Sequence, residues 1–300
     1  MKNHYAAAIS AFVIWGFFSI PLRALKEFSA GEILYFRILF SAAILLIIVF
    51  GFKRKDIKKD WAYFKTFSTT KRKEVIGLTL AGGALLTVNW LTFIYIVNNI
   101  NIKTASFSYL ICPVITAVLG YVLIKERLTL LQWIAVALCT VSCILMGINS
   151  ALELGYSFLT AFTYALYLIT QRRNQGFDRM VMLCIQVMFS FLLLNFIYRY
   201  LIQSVPITTE FYSIILVIAV LFTVLPLFLN LFALNKINSA TIGILMYINP
   251  LINFSIAFIV FNETISVIQI VGYFIIVVAL VLFNYHNFVK MKAVTFQKPV

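Results

Sequence analysis

The chain alternates between long apolar segments and short polar connections. Each apolar segment is about 20 residues long, which as an α-helix is enough to cross a hydrocarbon core of about 30 Å. Backbone groups in a membrane must bond within the protein, so spanning segments are helices or the strands of a closed barrel. These runs lack the alternation of barrel strands. The pattern therefore predicts an all-α integral membrane protein with ten transmembrane spans, at residues 5–25, 31–51, 75–97, 104–124, 130–148, 152–171, 180–199, 210–234, 240–261 and 266–286.

A long internal repeat divides the spans into two groups of five. Residues 88–133 align without a gap on residues 225–270, at an offset of 137 positions. Polar and helix-breaking residues match in register, which chance similarity between apolar helices does not explain. The matched pairs include Asn98 with Asn235, Asn101 with Asn238, Thr104 with Thr241, Pro113 with Pro250, Glu126 with Glu263, and Gln132 with Gln269. Five spans is an odd number, so the second half enters the membrane from the opposite side, which predicts two inverted repeats. We place the first half at 1–150, the second at 151–290 and a tail at 291–300.

Positive charge lies mainly in the connections on one side of the membrane. The chain has 24 Lys and Arg against 10 Asp and Glu, a net charge of +14. If the amino terminus is cytoplasmic, 19 of the 24 basic residues lie on the cytoplasmic side, nine of them at 53–73. Since Lys and Arg favour that side, we expect both termini and the tail to be cytoplasmic in the cell (inner) membrane. The expected partner is the lipid bilayer and not nucleic acid, and residues 53–73 are expected to form a solvated segment.

Composition and residue placement exclude other classes of protein. Hydrophobic residues make up 63% of the chain and charged residues 11%, which no soluble domain of this size could bury. The aspartates lie in loops, the histidines lie near the chain ends, and the four cysteines fall within apolar runs, where they are expected to pack. An aspartate dyad, a His-based triad or an HExxH zinc site therefore cannot form. We expect no enzymatic activity, no cofactor and no metal site, and a homodimer stays open.

Polar residues near the middle of several spans are candidates for a substrate pathway. Cys112 and Thr116 share a face of the fourth span, and the repeat aligns them with Asn249 and Asn253 on the ninth. An amide at mid-membrane is costly unless it meets protein, water or substrate, and a two-repeat transporter binds its substrate near the midplane. Hydrogen bonding between helices is the alternative interpretation. Further pathway candidates are the amides Asn89 and Asn230 and the aromatics Trp15, Trp90, Tyr109, Tyr167 and Tyr247.

Two prolines and three charged residues complete the candidates. Pro113 and Pro250 each remove one backbone hydrogen bond near mid-membrane, which makes them candidate hinges or structural kinks. Arg37 is the one charge well inside a span, so it is a functional candidate, with bonding to a neighbouring helix's carbonyls as the alternative. Glu126 and Glu263 lie at short turns on opposite sides and are expected to cap helix starts. No acid lies at mid-membrane, so we expect solute flux without proton coupling.

The chain resembles the drug/metabolite transporter superfamily, and each half resembles its EamA domain. The residues that carry the likeness are Trp15-Gly16, Arg37 within GEILYFRILFSAAI, and Glu126-Arg127-Leu128. The second half departs from the domain pattern, since Gln186 stands in the place of Arg37 and Asn262-Glu263 replaces the usual Gly-Glu. Within the superfamily, the segments IWGFFSIPLR, NWLTFIYIVNN, ASFSYLICPV and KERLTLLQW are similar to RarD-type permeases, which are named for chloramphenicol sensitivity.

The resemblance implies both an architecture and a function. It implies that spans 1, 3, 4, 6, 8 and 9 line a central cavity. It also implies a transporter that moves a small organic solute, metabolite or drug by alternating access, in most such proteins outward. A channel, and a membrane scaffold or sensor with a transporter-like fold, are the alternatives.

Overall fold

The computed structural model describes residues 2–125, 127–202, 205–234, 236 and 245–296, without the side chains of residues 2, 146–149, 231, 234 and 286–296. Over these residues the chain is helical and contains no strand. A single turn of π-helix, Val220–Val224, joins the helices Thr209–Ala219 and Leu225–Leu234. The helices are α1 Lys2–Gly16, α2 Ser19–Ala24, α3 Ala30–Phe52, α4 Arg54–Lys65, α5 Thr69–Asn99, α6 Ile102–Ile124, α7 Leu130–Asn149, α8 Ala151–Arg173, α9 Arg179–Phe196, α10 Tyr198–Leu201, α11 Thr209–Ala219, α12 Leu225–Leu234, α13 Ile248–Ile259 and α14 Val267–Phe296.

The membrane-spanning character of the helices agrees with the sequence prediction. In the described part of the chain, eight helical segments are long and apolar enough to cross a membrane. Two shorter apolar helices, Leu130–Leu145 and Ile248–Ile259, lie at the predicted fifth and ninth spans. The prediction of an all-α membrane protein is therefore confirmed, and each of the ten predicted spans overlaps one of these helical segments, with residues 240–244 of the ninth outside the described part of the chain.

The first span is broken into α1 and α2. Pro21 has no N–H, so the carbonyl of Phe17 loses its usual helical donor and accepts instead from the N–H of Ile20, at 3.1 Å. Just before the break, α1 crosses α13 closely. A Cβ at Gly16 would lie 2.7 Å from the Cβ of Ile252, so only glycine permits this approach.

Helices of the two sequence halves pack together in matched pairs. α5 packs on α8, and α12, the counterpart of α5, packs on α1, the counterpart of α8. In the same way α6 packs on α8 while α13 packs on α1, and α5 packs on α9 while α11 packs on α3. α7 pairs with its own counterpart, α14. This exchange of partners is the pattern expected of two halves related by a pseudo-two-fold axis, and the division at residue 150 stays a prediction.

The basic segment after α3, which the sequence predicts to be solvated, is helical and exposes most of its side chains. Its helix α4 contributes Asp60, which is buried and accepts the backbone N–H of Asp178 at 3.0 and 3.1 Å. The ammonium group of Lys53 lies 2.9 Å from Asp178 Oδ2 and 3.0 Å from Asp56 Oδ2. These two carboxylates raise the pKa of the Lys53 amine, so the ion pairs persist through neutral pH. The segment thereby ties the α3–α4 connection to the start of α9.

Candidate functional site

A cavity of about 80 Å³ lies between the two sequence halves. Seven spans contribute to its wall, which is largely aromatic and contains one charged side chain, Arg37. The family resemblance implied spans 1, 3, 4, 6, 8 and 9, and the structure adds the second span through Arg37. The lining residues are Phe12, Trp15, Phe18, Arg37, Leu86, Trp90, Phe93, Tyr109, Tyr164, Tyr167, Phe222, Thr223, Leu227, Met246 and Asn249.

Arg37 is held rigidly at the edge of this cavity. Its guanidinium carbon lies 4.7 Å from the ring centre of Phe18 and 4.6 Å from that of Trp90. Its Nε donates to Thr223 Oγ1 at 3.0 Å. The side chain is 2% exposed, and its Nη1 has no hydrogen-bond partner. The alternative predicted from the sequence was bonding to backbone carbonyls of a neighbouring helix, whereas the partners in the structure are a hydroxyl and two aromatic rings.

A helix break in the eighth span supplies the polar edge of the cavity. Pro226 lacks an N–H, so the carbonyl of Phe222, four residues earlier, has no helical donor. The indole Nε1 of Trp15 donates to that carbonyl at 3.0 Å, across the boundary between the halves. The π-turn lies at the same place, and it directs the Thr223 hydroxyl to the carbonyl of Ile218, at 3.1 Å. Trp15 and Thr223 are thereby fixed beside the cavity.

Asn89 lies behind the cavity wall. Its Nδ2 donates to the carbonyl of Thr160 at 2.8 Å, and its Oδ1 accepts from the hydroxyl of Tyr109 at 3.2 Å. Thr160 in turn bonds Thr92 through their hydroxyl groups, at 3.1 Å. Asn89 is fully buried, so in this structure it joins α5 to α8 and positions the Tyr109 ring.

A second cavity of about 390 Å³ adjoins the first. The two share four lining residues, Trp15, Tyr164, Tyr167 and Leu227. The second cavity extends to the α8–α9 connection, where Gly176, Phe177 and Arg179 line it, and Asn230 forms part of its wall. The ion pairs of Lys53 place this connection on the basic surface. Trp15 and Tyr167 therefore stand where the inner cavity meets an opening towards that surface.

Glu263 closes the opposite side of the protein. Its carboxylate lies 3.0 Å from Arg23 Nη2, and it accepts the backbone N–H groups of Ile102 at 2.8 Å and Lys103 at 3.1 Å. A carboxylate is stabilised at a helix amino end, where N–H groups lack helical partners. We call Arg23, Glu263 and the first turn of α6 the outer closure. It ties α2, the end of α13 and α6 together at the membrane surface opposite the basic one.

Glu263 was expected to cap a helix start, and it does so for α6 rather than for the helix that follows it. The free N–H groups at the start of α14 have a local acceptor instead, because Gln269 donates its N–H to Ser266 Oγ at 3.3 Å. Asn262 adopts a left-handed conformation with φ 51°, and the N–H of Glu263 bonds the carbonyl of Ala257 at 2.9 Å. Asparagine tolerates this conformation almost as glycine does, which explains the departure from Gly-Glu. The corresponding Glu126 lies outside the described residues.

Four other candidates lie away from the walls of both cavities. Thr116 donates to the carbonyl of Cys112 at 2.8 Å, and both are buried where α6 meets its neighbours. Tyr247 packs against the same apolar cluster. Asn253 is 2% exposed and donates to Ser106 Oγ at 3.1 Å, which joins α13 to α6. In this structure Asn253 therefore connects two helices, whereas the bond from Thr116 to Cys112 lies within α6.

The candidate hinges differ in their surroundings. Pro113 lies inside the continuous helix α6. Pro250 lies in the first turn of α13, directly after a turn at Met246 and Tyr247. The N–H of Asn249 bonds the carbonyl of Met246 at 3.2 Å, which is the carbonyl that Pro250 leaves without its helical donor. Asn249 therefore sits at a helix break and lines the inner cavity.

Two lining residues carried no sequence signal of their own. Phe18 and Phe222 are apolar residues in apolar runs, whereas Thr223 follows one helical face with Pro226 and Asn230. Pro226 could have indicated a helix break near them. The helix that packs against this break, and the side chain that faces Arg37, are determined by packing between segments that are distant in the sequence.

The paired helices, the cavity between the halves and the closure on one side are the architecture of a membrane transporter. The chain belongs to the EamA-like transporter family, which it matches over residues 3–148 and again over residues 152–285. The resemblance drawn from the sequence is therefore confirmed.

The chain is also similar to individual members of the family. It is 28% identical to the uncharacterized transporter YojE of Bacillus subtilis, over 94% of this chain and 93% of the relative. It is 28% identical to protein RarD of Escherichia coli over 92% of both chains, and 30% identical to an uncharacterized transporter of Vibrio cholerae over 94% of this chain and 92% of the relative. One solved crystal structure shares the fold with a TM-score of 0.63 at 11% identity, covering 94% of this chain and 97% of that chain. The protein is a multi-pass membrane transporter.

Proposed function

We propose that this transporter is a carrier that exports a small organic solute, a metabolite or drug, across the cell (inner) membrane by alternating access. Both termini lie in the cytoplasm in this proposal. The observation that carries it is the asymmetry around the inner cavity: a wider cavity joins it to the basic surface, and the outer closure stands on the other side. By the distribution of Lys and Arg, the open side is the cytoplasmic one.

The contacts on the two surfaces define the steps of the proposed transport cycle. In the conformation described here the solute enters from the cytoplasm past Asn230 and Arg179, and it reaches the boundary formed by Trp15 and Tyr167. Export then requires the outer closure to break and the cytoplasmic cavity to collapse. Each carrier state exposes the solute to one side only, which is the definition of alternating access.

The alternatives predict different transport behaviour. A channel needs a path open to both sides, whereas the bonds of Glu263 to Arg23 and α6 close one side here. A scaffold or sensor needs no flux at all. Saturation and counterflow therefore separate the carrier from both, because only a carrier exchanges labelled for unlabelled solute through one binding site.

The proposed carrier needs no bound proton. The described lining of both cavities contains no Asp, Glu or His, the groups that commonly carry protons in coupled transport. We therefore propose that flux follows the solute gradient.

The test uses purified protein in proteoliposomes with labelled amino acids, monocarboxylates, amines and chloramphenicol. At least one solute should show saturable efflux and counterflow that persist after ionophores collapse the pH gradient and voltage. Non-saturable flux would favour a channel, and absence of flux for every solute would contradict a carrier for these solute classes. Uphill accumulation driven by an imposed pH gradient would contradict the uncoupled mechanism.

A further inference from the structure

Arg37 is a buried charge without a counter-ion among the described residues. None of the ion pairs in the described part of the chain includes Arg37, and the described wall of the inner cavity contains no acid. Arginine keeps its proton in proteins. A charge so well removed from water is costly unless another group compensates it.

The surroundings of Arg37 leave one part of its guanidinium available. Phe18 and Trp90 flank the group, at 4.7 and 4.6 Å from its central carbon, and Thr223 occupies Nε. The terminal nitrogens are the remaining donors, and Nη1 has no partner. These terminal donors form the planar fork that binds a carboxylate through two parallel hydrogen bonds. The two rings and Thr223 hold that fork in place before any ligand arrives.

Only one half of the protein supplies this charge. The equivalent position in the second half is Gln186, which is 1% exposed and whose amide atoms have no hydrogen-bond partner. Its neutral amide adds no second cation near the inner cavity. A ligand that neutralises the site therefore carries a single negative charge at one end.

We infer that the inner cavity binds a small organic anion with one carboxylate, which Arg37 receives, and with a flat apolar body. The inference rests on the proposed carrier function and names the class of solute that it moves. The body packs against the aromatic wall of Trp15, Tyr109, Tyr164 and Tyr167. A positively charged solute is repelled by Arg37, and a multiply charged anion lacks further cations in the described inner wall.

The cavity dimensions agree with this division of the ligand. The inner cavity of about 80 Å³ has room for several water molecules, since each needs about 10–15 Å³ of such space, and it therefore accommodates a carboxylate and a few atoms beyond it. The adjoining cavity of about 390 Å³ has room for a larger body. The two meet at Trp15 and Tyr167, so a ligand anchored at Arg37 extends from the narrow space into the wider one.

The test compares carboxylates with amides of the same shape. The probes are phenylacetate against phenylacetamide and benzoate against benzamide, added to the full-length protein in lipid nanodiscs. Replacing Trp61 and Trp133 by Phe leaves Trp15 and Trp90, both in the cavity wall, as fluorescent reporters. Each carboxylate should change the fluorescence saturably and bind about 10- to 100-fold more tightly than its amide, the range expected for hydrogen bonds to a charged group.

Substitutions separate the charge of Arg37 from its packing. Arg37→Gln should remove the preference, so that acid and amide bind alike, and Arg37→Lys should keep the preference with weaker binding. Arg199→Gln removes an exposed charge elsewhere and should leave both affinities unchanged. If Arg37→Gln does not fold, the matched probes on the unsubstituted protein still decide the question.

The outcomes also distinguish this inference from the proposed carrier. Equal binding of acid and amide by the unsubstituted protein, or an unchanged preference in Arg37→Gln, overturns the anion site. Counterflow of neutral or cationic solutes with no binding of any carboxylate probe also overturns it, while the carrier stands. Carboxylate binding that depends on Arg37, without flux of any solute, supports the site and refutes the carrier.

Discussion

Weakening the outer closure should expose the inner cavity to the outside. Glu263→Gln keeps the size of the side chain but removes its charge. It also turns one of the two oxygens that accept from Ile102 and Lys103 into a donor. The closure then holds less firmly, and the population shifts towards a conformation open on that side.

The expected size of the shift follows from the contacts that are lost. The ion pair with Arg23 is partly exposed and contributes about 0.5–1 kcal/mol. A negative charge at the amino end of α6 contributes about 0.3–1 kcal/mol, and one backbone hydrogen bond about 0.5–1.5 kcal/mol. The sum is roughly 1.3–3.5 kcal/mol, or about a 10- to 400-fold change in the equilibrium between conformations.

Cysteine accessibility measures this change directly. Met246 lines the inner cavity, so Met246→Cys is introduced after the four native cysteines are replaced by alanine. An impermeant thiol reagent added to intact cells should modify it slowly, and at least about tenfold faster when Glu263→Gln is also present. Glu210→Gln, a change at an exposed acid expected on the same surface, is the matched control and should have no effect. An unchanged modification rate in a correctly folded Glu263→Gln protein would refute the outer closure.

Two further predictions concern topology and the polar candidates. A cysteine at Lys58 should resist an impermeant reagent in intact cells while one at Ile207, which is 94% exposed, should react; the opposite result reverses the proposed orientation. Asn253→Leu should lower the melting temperature slightly because it removes the hydrogen bond to Ser106, and such a bond between membrane helices typically contributes about 0.6 kcal/mol. Asn249→Leu should instead reduce flux and leave the melting temperature unchanged. Normal flux in Asn249→Leu would remove this residue from the pathway.

The sequence was most informative about the apolar runs and about the polar residues that lie within them. Apolar runs long enough to span a membrane predicted the helices, because hydrocarbon leaves the backbone few other options. Arg37 stood out as a charge within such a run, and it lies at the inner cavity. Asn249 stood out as an amide near mid-membrane, and it lines the same cavity.

Long-range pairing is what the sequence could not provide. Local spacing predicts a cap for Glu263, but the helix start that it caps lies 161 residues earlier in the chain. Asn253 and Asn249 look alike in sequence and are four residues apart, yet one bonds Ser106 and the other lines the cavity. Such differences depend on which helices pack together, and the residue pattern of a single helix does not contain that information.

The bond from Trp15 to Phe222 also constrains the order in which the protein can mature. Donor and acceptor are 207 residues apart, so ribosomal synthesis and membrane insertion of the first seven spans precede the arrival of the acceptor. Until then the indole N–H of Trp15 and the face of α1 around it have to be accommodated by lipid or by the insertion machinery. A nascent chain that stops before the eighth span therefore exposes an unfinished surface that membrane quality control can recognise.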